Sequence, residues 1–225
     1  MEGFIHIVND FAQYSIGIMP ALLQALGWTL ALASVSAFVG TILGLLVALA
    51  RISKNRILSI LATGYVTLFR GTPLLLQILF IYAALPQMGI TLDRFSSATI
   101  AFSLNAGAYI AEIVRAAIQS IDKGQMEAAR SLGMSYNLAM RRVILPQTYR
   151  RLLPPLVNEL AALTKDTSLA SVVGILELMK RSQHFVAATI RVAGTYVWTA
   201  LFYLIITVSL TTLASRLEKK LEARE

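Results

Sequence analysis

Arg70, Glu112, Arg115, Glu159, Lys165 and Asp166 are ionisable residues set inside long apolar stretches of a 225-residue chain. An unpaired charge at the centre of a membrane helix costs on the order of 3 kcal/mol, so each needs an ion-pair partner or a water-filled cavity. Residues of these types can pair with one another or bind a charged solute. Asp166 and Glu112 could bind its cationic groups. Arg70 could grip a carboxylate with two parallel hydrogen bonds, or anchor near the outer surface. Lys165-Asp166-Thr167-Ser168 sets four polar side chains in a row, and no single neighbouring helix can face all four. Some must line a cavity, or the helix must unwind there, which is a recurrent way to build a solute site at midmembrane. At ~1.5 Å per residue, Asp166 falls about 16 Å into its segment, level with Tyr109 and Asn105. Thr72, beside Pro73, is a further candidate. Glu112, Arg115 and Glu159 share a deeper layer. Arg115 is expected to form a structural ion pair, with Glu112 at i, i+3 or with Glu159 at equal depth.

The elements that must hold these residues follow from the apolar runs. The chain is 56% hydrophobic and 14% charged, with a mean hydropathy of +0.67. Soluble domains carry about 25% charged residues, so the class is an all-α membrane protein. Five transmembrane helices are expected: Ala21–Ala50, Ile57–Leu85 broken at Pro73, Ser96–Ser120, Leu153–Ile175 entered through Pro154-Pro155, and Gly194–Leu213. Residues 1–20 read as an outer interfacial helix with Phe4, Ile7, Val8 and Phe11 on one face, followed by a membrane domain over 21–225. Met1–Asp10 lacks a basic stretch, so a cleaved signal peptide is not expected.

The net charge of +8 has a membrane explanation rather than a nucleic-acid one. With the N-terminus outside and the C-terminus inside, the cytoplasmic parts hold 13 Lys or Arg and the outer parts 4. There is no cysteine. His6 and His184 read as surface residues without metal-ligand spacing, so no metal site is expected. Gly40 and Gly44 form a small-xxx-small pair that reads as a helix contact. Trp28, Trp198 and Tyr203 read as belt or packing residues, and Glu177–Arg191 as an outer loop.

The cytoplasmic loop 121–151 is too polar to cross. Asp122 can cap a helix beginning near Gly124, Gly133 can end it in the left-handed conformation, and Ser135 can cap a second short helix. Glu127 and Arg130 stand three apart on the first of these. Ala128, Ala129 and Gly133 offer a low surface that a partner can approach closely. Pro146 is expected to turn the chain toward the fourth span.

Glu127-Ala128-Ala129, Gly133, Val143 and Leu145-Pro146 together resemble the EAA motif of ABC importer permeases, with Val143 where the family prefers Ile. Phe69–Leu74, Leu104–Arg115, Gln119–Gln125 and Lys165–Ser171 are similar to the polar amino-acid branch, the histidine, glutamine and arginine types. The resemblance runs in order from Phe69 to about Ser171. It implies an importer subunit of the bacterial inner membrane, with the 121–151 loop as a cytoplasmic coupling helix between the third and fourth spans. Glu127, Ala128, Ala129, Arg130, Leu132 and Gly133 would dock a separate ABC ATPase, which binds the ATP and Mg. A second permease subunit, identical or paralogous, completes the path. An extracytoplasmic solute-binding protein delivers a polar, basic amino acid. This chain would bind no cofactor and catalyse no hydrolysis. Independently, none of its six lysines follows a glycine, so no phosphate-cradling P-loop is present.

Two other classes compete. An ion-coupled carrier could use the buried carboxylates as a proton relay, although five spans without an evident inverted repeat do not favour it. An intramembrane aspartyl hydrolase would need two acids close together at one depth, and Asp166 and Glu112 differ in depth by ~5 Å or more.

Overall fold

A computed structural model describes the backbone of residues 2–222 and the side chains of residues 9–219, and every regular element in it is helical. The first helix, α1 (Glu2–Arg51), is one uninterrupted rod of 50 residues. Residues 2–20 therefore do not form a separate element: they run straight into the first span, with Pro20 inside the helix. The side chains of Phe4, His6, Ile7 and Val8 lie outside the described set. Asn55 caps α2 (Arg56–Gly71), its side chain accepting from the amides of Ile57 and Leu58. Pro73 breaks the helix as the sequence predicts. The chain resumes as α3 (Leu74–Leu79), which continues through a wide π turn (Phe80–Ala84) and a 3-10 turn (Leu85–Met88). The two halves of this pair meet at 104°.

Asp93 caps α4 (Arg94–Gln119), the most deeply buried long helix. The elbow follows, with α5 (Lys123–Ser131), α6 (Tyr136–Ala139) and a π turn (Met140–Ile144). That turn runs without a break into α7 (Leu145–Asp166), which tightens to a 3-10 helix over Thr167–Val173. Gly174, at φ 83°, ends it. The chain closes with α8 (Leu178–Thr189) and α9 (Val192–Glu222).

Among the described residues, three helices are long and apolar enough to cross a membrane, namely Asn9–Arg51, Arg94–Gln119 and Val192–Lys219. The bent pair supplies a fourth. The expected span at Leu153–Ile175 falls in α7, which does not qualify because Arg150, Arg151, Glu159, Lys165 and Asp166 crowd its 22 residues. Pro154 and Pro155 do not open that helix. They sit inside it, and Pro146 holds the first turn instead of bending the chain.

Helices α1 and α4 run parallel, with Gly40 against Ala106, Gly44 against Ile110, and Arg51 reaching Glu112. The intervening 52–93 segment returns the chain between them. The small residues set this spacing. A Cβ at Gly44 would stand 2.7 Å from the Ile110 Cβ and 2.9 Å from the Gly107 carbonyl oxygen, so even alanine cannot fit without moving a helix. Gly44→Val is expected to destabilise the fold by about 1–3 kcal/mol, as overpacking commonly does. A drop in the melting point of purified protein checks this. Gly17→Ala, with nothing within 4 Å of its added Cβ, is the neutral comparison.

The segment Glu177–Arg191 is not a solvated loop. Glu177 and Leu178 are fully buried, and α8 packs on α1 and α9 beside Ile18, Leu22, Phe185 and Trp198. The Glu177 carboxylate caps α8 by accepting from the amides of Met179 and Lys180, and it also accepts from the Tyr203 hydroxyl at 2.8 Å. Thr29 of α1 receives the Leu178 amide at 3.1 Å. Trp198 donates to Ser15, Trp28 stacks edge-on to Phe95, and His184 is exposed, which fits the packing and surface roles expected of them.

Candidate functional site: a charged interior and an exposed elbow

The interior site forms where the end of α2, the middle of α4 and the end of α7 converge. Pro73 determines its first feature. Without an N–H, Pro73 cannot bond the Phe69 carbonyl four residues back, and that oxygen is orphaned. Gln77, buried on α3, fills the gap. Its Nε2 donates to the Phe69 carbonyl at 2.9 Å, to the Thr72 carbonyl at 3.1 Å and to the Thr72 hydroxyl at 2.9 Å. Asn105 Nδ2 donates to Phe69 as well and to Gln77 Oε1, each at 3.1 Å. Asn105 and Thr72 are thus engaged in stapling the broken helix, and less of their hydrogen-bonding capacity faces a solute than expected. The signal for Gln77 was present in the sequence: it is the lone polar residue in the run Leu74–Ile81, one helical turn past the break.

The second feature is a charge cluster on Glu112. Arg115 donates to it through Nε, at 3.1 Å, and through Nη2. Arg51 donates to it from the end of α1, and Arg70 Nη1 lies 3.9 Å away. The Arg70 guanidinium also sits over the Tyr109 ring, 5.1 Å from its centroid. Arg70 therefore belongs to this inner cluster and does not anchor at the far surface. Of the two partners open to Arg115, the structure selects Glu112. Glu159 is not its partner, because Glu112 is already in reach on the same helix. The assignment of Glu112 to a cationic ligand also changes. One carboxylate faces three guanidiniums, so the cluster is left positive and would repel a cation. Arg51 was not recognisable from sequence, where it reads as an ordinary membrane-boundary residue.

The third feature is the end of α7. The helix does not unwind at the polar row: Lys165 and Asp166 remain α-helical, and the chain tightens to 3-10 geometry from Thr167. Lys165 is exposed, Asp166 and Ser168 are half-buried, and Thr167 is buried with its hydroxyl donating to the Thr164 carbonyl at 2.7 Å. Asp166 and Glu159 stand seven apart, which places them on one face of α7, about 10 Å apart along the axis. Neither forms an ion pair among the described residues. They are the two carboxylates of this region left for a cationic group.

The elbow matches its local signals. Asp122 caps α5 by accepting from the Gly124 amide at 2.7 Å, Gly133 takes φ 80°, and Ser135 accepts from the Leu138 amide at 3.3 Å. The Met134 amide returns to the Ala129 carbonyl at 3.2 Å, closing the left-handed cap. Two details differ from expectation. Ala129 is buried within the elbow, so the low surface consists of Ala128 and Gly133 alone. Arg130 donates to the Met134 carbonyl rather than pairing with Glu127. Glu127, Ala128 and Arg130 are exposed, and Leu132 projects with 80% of its surface free.

Comparison with known proteins agrees with this geometry. The family model described as "binding-protein-dependent transport system inner membrane component" matches residues 40–224. The arginine transport system permease protein of Bacillus subtilis is 39% identical over 96% of this chain and 99% of its own length. The L-cystine transport system permease protein of the same organism is 43% identical over 95% and 91%. A crystal structure of an amino acid ABC transporter with histidines superposes with a TM-score of 0.89 at 36% identity, covering 92% of this chain and 97% of that one. The inward-facing methionine transporter MetNI shares the fold at 22% identity and a TM-score of 0.75. The ion-coupled carrier finds no support among these relatives. This chain belongs to the family of inner-membrane components of binding-protein-dependent transport systems: it is an ABC-type permease.

Proposed function

We propose that the chain is one membrane half of an ATP-driven importer of basic amino acids, spanning the bacterial inner membrane five times with its N-terminus outside. α7 is the remaining span, with its charges facing the path between two subunits rather than lipid. The second subunit is another copy or a paralogue. An external binding protein delivers the solute, and a separate ATPase, carrying ATP and Mg, docks on the exposed face of α5.

The continuity of α6, the π turn and α7 supports this most. From Tyr136 to Asp166 the chain is helical without a loop, through the π turn and past Pro146, Pro154 and Pro155. At about 1.5 Å per residue its path is roughly 45 Å. A push on the elbow, where Leu132 and Glu127 are free, moves Asp166 as a rigid body. ATP binding draws the two ATPases together and opens the path outward. Hydrolysis returns the elbow and releases the solute inward.

Charge sets the orientation of the cargo. The positive cluster presents Arg70, the most exposed and most weakly paired of its guanidiniums, to the solute carboxylate. Asp166 and Glu159 take the cationic side chain, while Lys165, Ser168 and Tyr109 border the same path. Asp166→Asn keeps the shape and removes the charge. Losing one charge-assisted hydrogen bond should reduce arginine uptake about 10–100-fold at low substrate. Uptake by cells expressing the variant at normal levels is the readout. An unchanged rate would remove Asp166 from the binding site.

A further inference from the structure

A cavity of about 560 Å³ opens at the Arg51 end of the bundle, between the α1–α2 turn, the last turns of α4 and the elbow. Leu49, Ile52, Ile118 and Met140 form apolar walls, and Lys54 and Tyr136 stand on its polar side. Its depth is fixed by the sequence. Leu49 and Ile52 bracket the point where 40 uncharged residues give way to Arg51, Lys54 and Arg56, which is the boundary between hydrocarbon and headgroups. The charge of this end is equally one-sided, since residues 51–56 and 122–151 hold nine Lys or Arg against two Asp or Glu. No acidic residue lines the cavity. Arg51 is spent on Glu112, whereas Lys54 forms no ion pair among the described residues.

An apolar pocket carrying one unpaired lysine and no acidic residue at this depth, on a strongly basic end of the bundle, matches an anionic lipid. We propose that the cavity binds one anionic phospholipid, with its phosphate on Lys54 and the Tyr136 hydroxyl and an acyl chain along Leu49, Ile52 and Met140. One wall is the α1–α2 turn and the other is the elbow, so the lipid braces α6 against the end of α1.

Native mass spectrometry of the purified full-length chain in detergent tests this, with phosphatidylglycerol, phosphatidylcholine and glycerol 3-phosphate as probes. Phosphatidylglycerol should be retained about fivefold more than phosphatidylcholine, the advantage of one basic residue at the headgroup level. Lys54→Glu should abolish that preference and Tyr136→Ala should reduce it. Lys123→Glu, at the same end but outside the cavity, should preserve it. Equal retention of the two lipids would overturn the assignment. So would an equal loss in Lys123→Glu, which would mean diffuse charge only, or retention of glycerol 3-phosphate by itself, which would mean a free-anion site. Phosphatidylglycerol held by the monomer but lost from the dimer would show a second copy covering the cavity and would also overturn it.

Discussion

Glu112→Gln is expected to lower the thermal midpoint of the purified protein by about 6–12 °C, taking on the order of 3 kcal/mol for a broken interior charge network and ~2–4 °C per kcal/mol for a chain of this size. Glu112 pairs directly with Arg51 and Arg115 and lies 3.9 Å from Arg70. The glutamine keeps the shape and some hydrogen bonds but leaves the guanidiniums to repel one another. Helix α1 is clasped to α4 at this point, so the loss falls on the longest interface of the fold. Arg70→Gln should cost far less, because that side chain is 40% exposed and solvent screening weakens its pairing. Melting curves of the two variants beside the parent protein decide the matter. An unchanged midpoint for Glu112→Gln would mean that the cluster does not hold the helices together.

Glu127→Lys is expected to weaken association with the ATPase at least about 30-fold, the equivalent of ~2 kcal/mol at a docking hot spot. Glu127 is exposed on α5 and has no ion-pair partner among the described residues, so its reversal should leave the permease folded. Transport and ATPase retention should fall together while the melting point stays within ~1 °C of the parent, as for a neutral surface substitution. Retention of the ATPase at the parent level during co-purification would place the docking surface elsewhere.

Features encoded by neighbouring residues were legible in the sequence. The Asp122 cap, the left-handed Gly133, the Ser135 cap and the break at Pro73 each depend on a few adjacent residues, and each is present. The Gly40 and Gly44 contact was legible because small residues at helical spacing have few other uses. Features that join distant segments were not legible. Arg51 and Glu112 are 61 residues apart, and only the parallel course of α1 and α4 brings them together. Gln77 acts on Phe69 and Asn105 through the bend between α2 and α3. Glu177 looked exposed because charge usually marks a loop. Its cap on the Met179 and Lys180 amides is local, but its burial depends on packing against Tyr203, 26 residues away. The polar row at Lys165–Ser168 left two outcomes open, a cavity or an unwound helix, and the chain instead stays helical and tightens to 3-10 geometry after Asp166.

The most direct measurement is arginine uptake into proteoliposomes containing this chain, with and without a partner ABC ATPase, in the presence of an arginine-binding protein. Uptake should require the ATPase and internal or external ATP according to its orientation, and should disappear with Glu127→Lys. Uptake by the chain alone, driven by a proton gradient without ATP, would contradict a permease moved from its elbow by a separate motor.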